Sequence, residues 1–143
     1  MDKSKLDAYM DATGFDAILA SSPENIYYTC GFPTLLTAGN RGLSLLLRTS
    51  ESVAVLLPKG LSPVLLITVG LAGMAEMYCP KIEACYSSTG MFIEWPTGAE
   101  YTVNALTPQE NLTSTIERLG LERGCLGIEM APLSAGTLQH IRK

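Results

Sequence analysis

Strand-like and helix-like signals alternate along this chain of 143 residues, and the fold class they predict is α/β. Three observations carry that expectation. Short, mostly apolar runs at residues 17–20, 43–47, 53–57 and 64–68 sit between turn formers and read as strands. Ser22-Pro23 and Thr107-Pro108 each place a cap residue before a proline, the combination that starts a helix. Gly14, Gly31 and Gly120 stand where helical stretches stop.

Taken in order, residues 2–13 place Leu6, Tyr9, Met10 and Ala12 on helical spacing, and Gly14 ends that helix. Residues 15–21 form a short buried strand around Ala17-Ile18-Leu19-Ala20. Ser22 then caps a helix with Pro23 at its first position and Gly31 as its stop. Residues 33–42, with Pro33, Gly39, Asn40 and Gly42, read as a loop. The runs 43–47, 53–57 and 64–68 are expected to form a meander of antiparallel strands. A short helix over 70–78 ends before Pro80, and a strand over 81–86 sets Ile82, Ala84 and Tyr86 opposite Lys81, Glu83 and Cys85. Residues 87–106 carry weak signals, with Met91-Phe92-Ile93 and Tyr101-Thr102-Val103 as short strands or loop anchors. Thr107 and Glu110 form a capping box, and Leu112, Ile116 and Leu119 continue the helix it opens. A strand over 126–130 and a helix over 134–142 complete the chain.

One domain of ordinary size is expected over residues 1–143, because nearly half the residues (47%) are apolar and supply a core. The net charge of -4 is dispersed, with Lys3, Lys5, Lys59, Lys81 and Arg118 each near acids, so no basic footprint for nucleic acid is present. The uncharged run 60–75 is shorter than the ~20 residues a membrane-spanning helix needs, and Pro63, Gly70 and Gly73 interrupt it. The charged start (Asp2, Lys3, Lys5, Asp7) is the reverse of a secretory signal, and the expected location is the cytoplasm. Cys30, Cys79, Cys85 and Cys125 are spaced too widely for a zinc ribbon or a redox pair and read as buried or incidental thiols. Asn111-Leu112-Thr113 matches a glycosylation sequon, taken as chance in a chain without an export signal.

Candidate chemistry is sparse. A metal site needs converging ligands, and the single histidine, His140, reads as a surface residue of the last helix. Glu94 and Glu100, beside Trp95 and Tyr101, form a carboxylate pair that reads first as solvated charge on an aromatic loop. Gly39-Asn40-Arg41-Gly42 lacks the lysine and helix start of a phosphate loop. Arg41 is the residue to single out, because a guanidinium between glycines at the entrance of a strand can offer a planar fork to a carboxylate.

Two stretches of sequence resemble one known family. Residues 16–32, Asp16-Ala17-Ile18-Leu19-Ala20-Ser21-Ser22-Pro23-Glu24-Asn25-Ile26-Tyr27-Tyr28-Thr29-Cys30-Gly31-Phe32, are similar to the strand, helix and Gly-aromatic stop that open the creatinase/prolidase amino-terminal domain. Leu119-Gly120-Leu121, Leu126-Gly127-Ile128-Glu129 and Leu133-Ser134-Ala135-Gly136 are similar to the helix, strand and helix that close it. Between residues 62 and 106 the similarity is architectural only.

The resemblance implies a mixed central sheet with helices on its faces, ribonuclease-H-like in arrangement but without that enzyme's active site. It also implies a parent protein whose catalytic pita-bread domain lies outside this chain. There two divalent metals (Mn, Co or Zn), held by two aspartates, a histidine and two glutamates, serve cleavage of the bond before proline. No cofactor is expected in the present chain, and no catalytic residue. The implied function is that of a non-catalytic domain of an Xaa-Pro dipeptidase or aminopeptidase, a homodimer acting on proline-containing peptides. The alternatives are the front domain of a creatinase-like amidinohydrolase or other small C–N hydrolase acting on a small amide, and a free-standing binding or scaffolding module. In this family the counterpart of the 33–42 loop reaches toward the partner subunit's active site, which makes Arg41 and Phe32 the candidate substrate-binding residues. Phe32 carries a second reading, as a core residue.

Overall fold

In a computed structural model, residues 1–34, 53–88, 103–105 and 107–129 are described, the segment 103–105 by its backbone alone. The expected elements at 43–47, 91–93 and 134–142 lie outside the described residues, as do Arg41, Glu94, Glu100 and His140.

Six strands form one mixed sheet among the described residues: β1 (Ala17–Ala20), β2 (Val53–Pro58), β3 (Val64–Thr68), β4 (Glu83–Ser87), β5 (Val103–Ala105) and β6 (Leu126–Ile128). Their spatial order is β5-β4-β3-β2-β1-β6. Four α-helices accompany them: α1 (Lys3–Thr13), α2 (Pro23–Cys30), α3 (Ala72–Tyr78) and α4 (Pro108–Arg118), with a single 3-10 turn (Val69–Leu71) leading into α3. This is the mixed sheet with helices on its faces that the fold class calls for. Among the described residues no helix is long and apolar enough to cross a membrane.

The hairpin β2–β3 is antiparallel, as is the pair β1–β2, while β3–β4, β4–β5 and β1–β6 are parallel. The meander therefore stops at β3. A parallel return needs a crossover, and the 3-10 turn with α3 supplies it between β3 and β4.

Alternation along the central strands divides two cores. Val55, Leu57, Leu65 and Ile67 face Met10 of α1, Ile26 of α2, and Leu71 and Ala75 of the α3 crossover. Ala17, Leu19, Leu56, Val64 and Leu66 face Leu112 of α4. All five residues of β3 are buried, as expected for a strand covered on both faces. The alternation expected along β4 holds: Ile82, Ala84 and Tyr86 pack toward one core and Cys85 is buried in the other, so both faces of the strand are covered beyond the exposed Glu83.

Local chemistry sets the helix ends. Asp2 caps α1 through Lys5 N–H, and Gly14 closes it at φ 73°, where a side chain would be strained. Lys3 pairs with Asp7 and donates to the Pro58 carbonyl at 3.1 Å, while Gly60 N–H donates to Asp7 at 3.2 Å, so α1 is tied to the β2–β3 turn. On the other face, Asn111 of α4 is 1% exposed and its amide Nδ2 donates to Cys85 O at 2.8 Å. The sequon asparagine is thus built into the helix–sheet contact and is closed to modification in the folded chain. Arg118 of the same helix reaches Glu83 of β4 at 2.7 Å.

Candidate functional site

The Ser-Pro-Glu-Asn frame folds as its residue types require. Ser22 is extended (φ -74°, ψ 146°) and its hydroxyl accepts from Asn25 N–H, Pro23 occupies the first turn, and Gly31 stops α2 in the left-handed region at φ 81°. What that frame does not contain is the acid that completes it.

Pairing of β6 with β1 brings Glu129 to the start of α2, with Glu129 N–H donating to Leu19 O at 3.1 Å. Its Oε2 accepts from the backbone N–H groups of Ser21 and Ser22, each at 2.9 Å. Its Oε1 accepts from Asn25 Nδ2 at 2.9 Å. A carboxylate at a helix N-terminus also meets the positive end of the helix dipole. Burial pushes the Glu129 carboxyl up, but the hydrogen bonds from Ser22, Ser21 and Asn25 outweigh it and hold the group below its ordinary value. With both oxygens engaged, Glu129 is an ionised clasp between two ends of the chain and is poorly placed to act as a general base.

Beside the clasp, α1, α2 and the sheet enclose a cleft of about 400 Å³, lined by Leu6, Tyr9, Ile18, Ala20 and Tyr28 with Glu129 at one side. That volume lies within the ~300–1,000 Å³ of small-molecule pockets, and the lining is chiefly apolar with few polar groups, as such pockets are. Lys5 at its edge is engaged with Asp2 at 3.6 Å. Among the described residues, no three His, Cys, Asp or Glu side chains are grouped to hold a metal ion.

Of the residues singled out from sequence, Phe32 is 0% exposed and sits in the core with Met10, Ile26 and Leu71, so its ring packs within its own domain. Arg41 lies outside the described residues. The residues that follow α2 are anchored: Pro33 and Thr34 are buried, and Thr34 Oγ1 donates to Pro23 O at 3.0 Å. Cys30 and Cys79, far apart in sequence, come together where α2 and α3 end, Cys79 Sγ lying 3.2 Å from Cys30 O. Sequence spacing had set these cysteines apart. Glu129 was visible as part of a closing motif, but nothing local to it signals three donors from residues 21–25.

The family model for the creatinase/prolidase N-terminal domain matches residues 3–143. Among solved structures, the chain is similar to the N-terminal domain of the cytoplasmic peptidase PepQ from Mycobacterium tuberculosis H37Rv, at 20% identity and a TM-score of 0.61, covering 98% of this chain and 81% of that one. It is also similar to a dipeptidase from Pyrococcus horikoshii OT3, at 20% identity and a TM-score of 0.60, covering 99% of this chain but 31% of that one. No curated protein matches the sequence. At these identities the solved structures establish the fold, and the family model establishes kinship: the chain belongs to the creatinase/prolidase N-terminal domain family.

Proposed function

We propose that this domain is the non-catalytic front part of a metal-dependent Xaa-Pro dipeptidase or aminopeptidase, and that it pairs subunits and shapes the partner subunit's active site. The observation that carries the reading is the family match over residues 3–143, supported by neighbours named as peptidases. The metal (Mn, Co or Zn) belongs to a catalytic domain that follows in the parent protein. The working compartment is the cytoplasm.

Within this reading Arg41 holds a substrate carboxylate across the dimer, while Phe32, buried in the core of its own domain, contributes through packing and does not touch substrate. The test uses the parent protein. It is expected to be a dimer by light scattering and to hydrolyse proline-containing dipeptides with added manganese, cobalt or zinc, whereas residues 1–143 alone give no turnover above the metal-only control. Hydrolysis of creatine-type amidines in place of peptides would move the parent to the amidinohydrolase branch. Arg41→Ala in the parent is expected to weaken substrate binding by about 1.5–3 kcal/mol, the worth of a hydrogen bond to a charged group, with thermal unfolding unchanged. An unaltered KM would remove Arg41 from the site.

A further inference from the structure

Cys30 is the last residue of α2 and Cys79 follows the last residue of α3. All four cysteines are free; Cys30 is half-buried, Cys79 and Cys85 are buried, and Cys125 is exposed. Cys30 Sγ donates to Ile26 O at 3.2 Å and Cys79 Sγ to Cys30 O at 3.2 Å, so each thiol is oriented by backbone at the junction of the two helices. The Cys79 thiol thus rests directly against the backbone of Cys30. Cys85 takes no part in this cluster: it lies on the opposite face of the sheet, 3.5 Å from Arg118.

We propose that Cys30 and Cys79 are a peroxide-oxidisable dithiol that closes to an intramolecular disulfide and staples α2 to α3. Cys30, the more accessible of the two, attacks one peroxide oxygen; the O–O bond breaks, a sulfenic acid forms at Cys30, and one water leaves. Cys79 Sγ then attacks the Cys30 sulfur, the S–O bond breaks, and the hydroxyl departs with the Cys79 proton as a second water. Two thiols lose two hydrogens and two electrons, and one peroxide becomes two waters. Burial pushes the Cys79 thiol up to about 12, with the neighbouring Cys30 adding to it, and burial likewise raises Cys30. Both are therefore thiols at neutral pH, so ordinary exposure to oxidant is slow at this pair and adjacency drives the second step.

The junction is also where a staple has leverage. The bond would enclose the chain from α2 through the β2–β3 hairpin to α3, a long loop whose closure removes freedom from the unfolded chain. It would also fix the end of α2, just before the buried Phe32, Pro33 and Thr34.

The experiment treats the chain carrying Cys125→Ser, which removes the exposed thiol, with a few equivalents of hydrogen peroxide. Remaining thiols are alkylated after unfolding, and a non-reducing digest is read by mass spectrometry. The expected product is one linked peptide pair containing Cys30 and Cys79, two hydrogens lighter than the separate peptides and split by dithiothreitol. The oxidised chain is expected to melt about 5 °C or more above the reduced one. Full alkylation of both residues after peroxide, a Cys30 sulfinic acid with Cys79 still free, or a bridge found only between molecules would each overturn the proposal.

Discussion

Helices α2 and α4 begin alike, on a hydroxyl cap followed by proline, and both use a glutamate to receive backbone N–H groups. In α4 the acid is three residues away: Glu110 N–H donates to Thr107 Oγ1 at 3.2 Å, and Glu110 Oε2 accepts from Thr107 N–H at 3.0 Å. In α2 the acid is Glu129, more than a hundred positions on, delivered by the parallel pairing of β6 with β1. The local box stabilises a helix wherever it sits. The long-range clasp also records that the two ends of the domain have met, so breaking it acts on tertiary structure and not on one helix alone.

The largest effect that separates the two is expected from Glu129→Ala. It leaves the buried Ser21 N–H, the Ser22 N–H and the Asn25 amide without their acceptor, and a loss of about 2–3 kcal/mol in urea unfolding is expected from stranding donors of this kind. A loss under about 0.5 kcal/mol, the level of a surface change, would mean that water replaces the carboxylate at no cost. Thr107→Ala comes next, at about 1 kcal/mol, because it removes a single cap whose neighbours stay in place. If Thr107→Ala proved the more costly, the ranking of long-range over local capping would fall.

The smallest effect is in pH. The folded carboxyl of Glu129 lies below its ordinary value of 4.5, so in acid the unfolded chain takes up the proton first. Its stabilisation is therefore present above pH 4.5 and is lost as pH falls through the folded value. Asp2 and Asp7 are also held low, chiefly by their hydrogen bonds to Ser4 and Lys3, so the wild-type acid transition is shared. The stability difference between wild type and Glu129→Gln isolates Glu129: it should be constant near neutrality and narrow below pH 4.5. A difference that stays flat through acid would assign the clasp to geometry without charge.

Helix starts and stops were legible because their causes lie within three or four residues. The Ser22 and Thr107 caps, the prolines after them and the left-handed Gly14 and Gly31 all appear where their residue types place them. The apolar runs at 53–57 and 64–68 became β2 and β3 for the same reason, since a buried strand shows as a continuous apolar segment. The family resemblance came from the same two motifs, 16–32 and 119–136. The candidate site was less readable. Arg41 belongs to a segment outside the described residues, and Phe32 is taken up by the core.

Among the described residues, composition and local pattern thus determined most of the helices and strands and where most helices start, and the same motifs pointed to the family. Only the tertiary structure decided the parallel pairing of β3 with β4 and of β1 with β6, the two-sided burial of β4, the seating of Glu129 on α2, and the meeting of Cys30 with Cys79. The physical reason is range. A cap or a turn is an energy between near neighbours and leaves a mark in their spacing. A contact between residues 49 or 108 apart exists only after the sheet has formed, and no periodicity in the chain encodes it.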